Sequence, residues 1–387
     1  MVDYEARGVS PHKLDVHNAL VGVDPGLFPG AFCKAIPDVL GASPEHCYIL
    51  HADGAGTKSS LAYLHYKRHG DIRVFERLAQ DSLAMNLDDL LCVGAVGPFA
   101  LSNIIGRNAR AIGGEVIAAV IRGYSDFAAS LRPHGVEIVS CGGETADLGD
   151  LVRTITIDST LATRMLRADF IDCAKVQPGH DLVGLASFGR AGYESIPNSG
   201  IGSNGFTSAR HDLLHSRFRT QFPESFAPEI AEVAYTGPAD IDDALPGSEM
   251  TVGDALLSPT RTYAPIMLLV LERFRQSISA VFHNSGGGQT KCLNFGENIR
   301  YIKDNLFEPP AIFKFIQSSA GRSMREMLIV FNMGHRLELA CDPSVSQEII
   351  DIAARFGVEG RVVGRTERST SGNSLHIAAG GETIDYT

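Results

Sequence analysis

Apolar positions along this chain follow two rhythms. A period of two marks strands and a period near 3.6 marks helices, and the two alternate repeatedly. The run Tyr48-Ile49-Leu50 reads as a buried strand ending just before Asp53. Helical spacing follows over 59–68, 74–91 and 115–131. A β-rich run over 136–141 closes on Gly142-Gly143, and 153–161 alternates as a half-buried strand. A turn at 175–181 precedes a strand over 182–186. The later part predicts a Gly/Ser/Asn-rich loop from 188 to 205, a helix over 206–216 and a polar, proline-punctuated stretch from 218 to 254 with no assignable element. Beyond it lie a helix over 261–274, a strand over 278–282, a tight loop at 285–288, an amphipathic helix over 346–356 and a last strand over 375–379. No short repeat is present. The alternation predicts two layered α/β domains.

Size agrees with that division, because 387 residues exceed one ordinary core. The chain is 44% hydrophobic, a soluble globular composition. Its net charge of −11, without a basic run, excludes a sequence-independent nucleic-acid binder. Seven scattered cysteines with no C-x-x-C spacing point to reduced thiols in a cytoplasmic protein. The opening residues show neither a basic nor an apolar leader, and the apolar run at 266–271 is too short to span a bilayer.

The chemistry concentrates at a few turns. Asp53-Gly54-Ala55-Gly56-Thr57-Lys58 follows a strand with a carboxylate, two glycines, a hydroxyl and a lysine. Gly54 and Gly56 let the backbone approach an anion, Asp53 suits Mg²⁺, and Thr57 and Lys58 suit phosphate oxygens. The spacing is neither that of a Walker loop nor G-x-G-x-x-G. On the helix over 74–91, Asp81 and Asp88 lie roughly 20° apart on one face and Asp89 roughly 80° around from Asp81. Carboxylates clustered among apolar residues repel one another unless a cation gathers them, which makes all three candidate metal ligands beside Asp53. Gly142-Gly143-Glu144-Thr145-Ala146-Asp147 reads as a second strand end delivering glycines and then a carboxylate. Ser203-Asn204-Gly205 opens a helix, where it can cap the helix or bind an anion. His283 ends a strand beside Gly286-Gly287-Gly288, a setting for structure, phosphate contact or proton transfer.

These residues resemble the phosphoribosylformylglycinamidine cyclo-ligase (aminoimidazole ribonucleotide synthetase) family. The likeness runs in order through 53–58, Asp89-Leu90-Leu91-Cys92-Val93-Gly94-Ala95, 142–146 and 203–206. It continues through Ser258-Pro259-Thr260-Arg261-Thr262-Tyr263, 283–288, Glu297-Asn298-Ile299 and Phe331-Asn332-Met333-Gly334. Residues 4–9 also resemble the family's opening. The resemblance implies a two-domain PurM-like fold. An N-terminal domain (1–170) would bind ATP and Mg²⁺ and join a partner's sheet in a homodimeric barrel, and 171–387 would form the C-terminal domain. It implies ATP-dependent ring closure of formylglycinamidine ribonucleotide, a small-molecule substrate, with no nucleic-acid or membrane partner. Lys58, Glu144 and His283 would be catalytic, and Asp53, Gly54, Gly56, Thr57 and Lys58 would hold ATP. Ser203, Asn204 and Gly205 would take the substrate's phosphate, and Asp53, Asp81, Asp88 and Asp89 would hold Mg²⁺. Other ATP-using members of the superfamily, akin to selenophosphate synthetase or thiamine monophosphate kinase, and a non-catalytic nucleotide-binding relative are the alternatives.

Several positions depart from the family pattern. The glycine-rich nucleotide lid is missing, and the loop at 189–201 is expanded. Asp88 stands where an Asn is usual, Gly202 replaces a His, and His335-Arg336-Leu337 replaces small and apolar residues.

Overall fold

The computed structural model describes residues 5–9 and 18–387, so Tyr4 of the opening motif lies outside the described residues. The N-terminal domain is built on a five-stranded sheet of order β1-β2-β5-β3-β4. Its elements are β1 (Ala35–Pro37), β2 (His46–Gly54), α1 (Lys58–His69), α2 (Arg73–Leu91), β3 (Phe99–Arg107), α3 (Gly114–Leu131), β4 (Ile138–Asp147) and β5 (Ile155–Leu166). β3 and β4 pair in parallel across the α3 crossover, whereas β5 runs antiparallel to both β2 and β3. Helical packing buries one face of the sheet, through Cys47 and Ile49 of β2 and Ile157 and Leu161 of β5. The opposite face is open, with Leu50 62%, Ile104 52% and Val139 50% exposed.

Two strand ends differ from expectation. β2 continues through Asp53 and Gly54, so that carboxylate sits within the strand. β4 runs straight through Gly142-Gly143-Glu144-Thr145-Ala146-Asp147, which therefore forms no loop. Parallel pairing of Ile104 with Glu144 and of Ile105 with Thr145 keeps that segment extended.

The C-terminal domain carries a seven-stranded sheet of order β14-β13-β10-β12-β6-β11-β9. In chain order come β6 (Asp181–Ala186), the short pair β7 (Phe188–Gly189) and β8 (Asn198–Ser199), α4 (Phe206–Leu213), α5 (Arg217–Gln221), α6 (Val252–Leu256), α7 (Ala264–Phe274) and β9 (Ile278–His283). Then follow β10 (Ile299–Lys303), α8 (Ala311–Ala320), α9 (Met324–Val330), β11 (His335–Cys341), α10 (Ser346–Arg355), β12 (Gly360–Arg368), β13 (Ser374–Ala379) and β14 (Glu382–Tyr386). The chain thus closes on β14, one strand beyond the expected last one. α7 begins at Ala264 rather than Arg261, with Pro265 in its first turn, where the missing N–H costs nothing. Among the described residues no helix is long and apolar enough to cross a membrane.

β11 is buried along its whole length although it contains His335, Arg336 and Glu338. Those charges hide the strand from a hydrophobicity pattern, and each is answered inside the fold. Glu338 accepts from Lys303 Nζ at 2.9 Å and lies 2.8 Å from His335 Nε2. Lys303 also donates to the backbone and side-chain oxygens of Gln289. Burial works to raise the Glu338 pKa, but Lys303 and His335 overcome it and hold the carboxyl at about 2. Removing one partner of such a buried pair strands the other charge. Glu338→Gln is therefore expected to lower unfolding free energy by ~3–5 kcal/mol in chemical denaturation. Adding Lys303→Met should recover part of that loss, and a near-neutral single variant would contradict this account.

Candidate active site

Helix α2 carries its carboxylates into the cleft between the two sheets, and its geometry sorts them. Seven residues of helix advance about 10.5 Å, so Asp81 and Asp88 stand on one face about that far apart. The irregular segment Ser258-Pro259-Thr260-Arg261-Thr262-Tyr263 lies along that face. Its donors fall in register. Asp81 Oδ1 accepts from the Thr260 N–H (2.8 Å) and the Thr260 hydroxyl (2.5 Å). Asp88 Oδ1 accepts from the Thr262 hydroxyl (2.6 Å) and the Tyr263 N–H (3.1 Å). Gln80 Nε2 completes the strap by donating to the Thr260 carbonyl at 2.9 Å.

A cation answers each of these two carboxylates. Lys58 Nζ lies 2.8 Å from Asp81 Oδ1 and also donates to the Ser258 carbonyl at 2.5 Å. Lys58, expected at a triphosphate, is instead wholly buried as the counter-ion of Asp81. Burial depresses its pKa, and Asp81 opposes that shift. Arg336 Nη2 sits 2.9 Å from Asp88 Oδ2. Burial pushes the Asp88 carboxyl up, while Arg336 and the strap counter it. Asp81 and Asp88 thus share a face, as their spacing required, and that face is a seam between domains; protein groups meet Asp88 on both oxygens and Asp81 on Oδ1, while the buried Oδ2 of Asp81 has no protein partner. The expanded loop is tied to the same strap. Glu194 holds Arg261 through two bonds of 2.8 and 2.6 Å, and the Tyr193 hydroxyl donates to the Thr262 carbonyl at 2.7 Å.

Asp89 points elsewhere. Its Oδ1 is 2.5 Å from His283 Nδ1, and its Oδ2 is 3.4 Å from His51 Nε2. Burial opposes its ionisation, yet His283 and His51 hold its pKa below the ordinary value. Asp53 behaves in the opposite way. Burial and the charge of Asp89 raise its pKa, against the donated Gly54 N–H at 2.7 Å. Two carboxylates whose charges oppose each other beside a glycine turn fit Mg²⁺, a hard ion that keeps its waters and takes one or two protein carboxylates together with substrate phosphates. No group of three or more His, Cys, Asp or Glu among the described residues is arranged to hold a metal. Asp53 and Asp89 are the two carboxylates whose charges bear on each other here.

Across the cleft, the Thr57 hydroxyl lies 2.9 Å from that of Thr207, in the first turn of α4. Gly205 precedes that helix with φ +69°, and an added Cβ would strike Phe331 at 2.6 Å, so only glycine fits there. Ser203 bonds to Asp81 at 3.2 Å, which ties this turn to the seam. Asn204 Oδ1 and both polar side-chain atoms of buried Asn284 have no protein partner. Buried amide groups left unpaired by protein take a partner from outside the chain, water or ligand. Asn284 was not singled out from sequence, although its amide sits inside an otherwise apolar and glycine-rich strand end. Beside the Gly56-Thr57 turn a cavity of about 510 Å³ is lined by Thr156, Thr207, Phe226 and Ile230, among others.

Two expected residues stand differently. His283 is fully buried, its ring held between Asp89 and Arg336. Glu144 lies on the open face of the N-terminal sheet, in the row Gly54, Asp158, Ile104, Glu144. Three strand spacings place it roughly 14 Å from Gly54 within one chain.

Comparison with known proteins accords with this architecture. The family model described as AIR synthase related protein, N-terminal domain, matches residues 35–165, and that for the C-terminal domain matches 177–376. A phosphoribosylformylglycinamidine cyclo-ligase of Methanocaldococcus jannaschii is 29% identical over 86% of this chain and 82% of its own. One from Methanococcus maripaludis is 26% identical over 96% and 94%. Among solved structures, T. maritima PurL complexed with ADP superposes with a TM-score of 0.53 at 12% identity, covering 99% of this chain. The chain spans about half of that protein, 52%. The tt0281 protein of Thermus thermophilus matches with a TM-score of 0.53 at 14% identity, over 92% of this chain and 93% of its own. The family models jointly cover the strap, the acidic helix and both turns, and the chain belongs to the AIR synthase related protein family.

Proposed function

We propose that this protein is a phosphoribosylformylglycinamidine cyclo-ligase of purine biosynthesis. It would close the imidazole ring of formylglycinamidine ribonucleotide to 5-aminoimidazole ribonucleotide, consuming ATP and releasing ADP and phosphate. The observation that carries the reading is the meeting of two anion-friendly turns in one cleft, where Thr57 touches Thr207 beside the Asp53 and Asp89 carboxylates. The cyclo-ligase names of relatives aligned over most of the chain support it.

In this reading Asp53 and Asp89 hold Mg²⁺, whose charge would neutralise the triphosphate. Gly54, Gly56 and Thr57 line the phosphates, and the cavity walled by Phe226 and Ile230 receives the rest of the nucleotide. Ser203, Asn204, Gly205 and Asn284 offer hydrogen bonds to the ribonucleotide substrate. An amide oxygen leaves poorly, so the γ-phosphoryl group first passes to it from ATP. The amidine nitrogen then attacks the activated carbon, loses its proton, and phosphate departs with the former amide oxygen. Such transfer depends on positioning and charge neutralisation. Lys58 acts by anchoring Asp81, and the N-terminal and C-terminal domains form the two walls of the cleft.

The protein would work in the cytoplasm as a homodimer. Its seven cysteines are all free. The exposed Leu50, Ile104 and Val139 give the open sheet face an apolar surface suited to a second copy, which would also cover Glu144.

Three outcomes test this reading. Purified protein should release ADP under Mg²⁺ only when formylglycinamidine ribonucleotide is added; substrate-independent release, or none, would refute the assignment. Asp53→Asn should slow turnover at least roughly a hundredfold, ~3 kcal/mol in the transition state. The sign of its stability effect is also fixed. A carboxyl whose folded pKa is raised destabilises the fold once pH climbs past its unfolded value near 3.8. At pH 7 without metal, Asp53→Asn should therefore melt no lower than wild type in calorimetry, and it should lose the Mg²⁺-dependent rise. Ile104→Asp with Val139→Asp should yield monomers in light scattering if the open face joins two copies, and an unchanged mass would place the contact elsewhere.

A further inference from the structure

Arg336 stands at the centre of a buried chain of polar contacts that the proposed chemistry does not use directly. Its side chain crosses from β11 to α2, where Nη2 meets Asp88 at 2.9 Å and also donates to the Arg261 carbonyl. Nη1 lies 2.5 Å from His283 Nε2. The guanidinium packs over the Tyr263 ring, 5.4 Å from its centroid, and Arg336 is 2% exposed. An arginine has donors and no acceptor. The imidazole nitrogen facing it must therefore present its lone pair, which puts the ring proton on Nδ1. That proton points at Asp89 Oδ1, 2.5 Å away. The order Asp88, Arg336, His283, Asp89 is thus a directional relay, with each donor fixed by the group behind it.

Asp88 on α2 and Arg336 on β11 form one buried ion pair that joins the two domains. The negative charge of Asp88 is met by the Arg336 guanidinium.

We propose that Arg336 is a positioning residue. Anchored by Asp88, it sets the His283 tautomer and so aims the Asp89 carboxylate at the site of Mg²⁺. This inference rests on the Mg²⁺–ATP reading of the cleft. Partners that orient a ligating group commonly change metal affinity 10- to 100-fold when removed.

Two variants separate this role from simple stabilisation. Arg336→Lys keeps a positive charge against Asp88, but its single ammonium cannot hold Asp88 and His283 in the same fork. Asp88→Asn with Arg336→Met removes both charges and leaves neither stranded. Three readouts are needed: thermal midpoint, binding of a non-hydrolysable ATP analogue titrated with Mg²⁺ by calorimetry, and the His283 tautomer from ¹⁵N-histidine NMR. The double variant is expected to melt close to wild type, yet to need about 10- to 100-fold more Mg²⁺ and to lose the pure Nδ1–H signature. Arg336→Lys should shift Mg²⁺ dependence in the same direction. Wild-type protein that binds no nucleotide with Mg²⁺ would overturn the proposed function and this inference together. Wild-type binding, with variants that match it in Mg²⁺ dependence and tautomer, would overturn the positioning role alone.

Discussion

Burying carboxylates on a single helix is the constraint from which the rest of this cleft follows. Asp81, Asp88 and Asp89 all lie on the buried part of α2, where an unpaired charge is not tolerated. Three different answers are built for them. Asp81 receives Lys58 and Thr260, Asp88 receives Arg336, Thr262 and Tyr263, and Asp89 receives two histidines. The first two answers stitch the domains together. The third keeps Asp89 ionised next to Asp53, whose own carboxyl pKa is pushed up by burial and by the Asp89 charge.

The seam explains why the two walls of the cleft stand in fixed relation. The hydroxyl and N–H donors of the strap at 258–263 meet helix carboxylates seven residues apart, and Glu194 and Tyr193 hold the strap from its other side. Buried ion pairs of this kind contribute little net stability against a well-packed apolar alternative, but they are costly to break. Their value here is geometric. They set the register between the turn at Gly56-Thr57 and the turn at Ser203-Asn204-Gly205, so the two anion-friendly turns face each other.

Much of this architecture was legible in the sequence. The pattern over 74–91 anticipated α2 (Arg73–Leu91) almost to the residue, because its apolar stripe is long and uninterrupted. Other features escaped for physical reasons. β11 carries three charged or titratable side chains that only a tertiary network satisfies, so no apolar alternation announced it. Gly142 to Asp147 looked like a loop because glycines weaken a strand, yet pairing with β3 holds it extended. α8 and α9 passed without notice between better-marked neighbours. At the site, spacing placed Asp81 and Asp88 on one face correctly, but a helix wheel cannot say whether a face meets an ion or another domain. The segment at 258–263 was visible as a motif, and its role as the partner of that face became evident only when both elements were seen side by side.

The most direct measurement is a crystal structure with Mg²⁺, a non-hydrolysable ATP analogue and the ribonucleotide substrate bound together. Asp53 and Asp89 are expected in the metal's coordination sphere, with triphosphate oxygens at the Gly54–Thr57 turn. Asp81 should still be bonded to Lys58, and Asp88 to Arg336. Coordination of the metal by Asp81 or Asp88, with the strap displaced, would contradict this assignment.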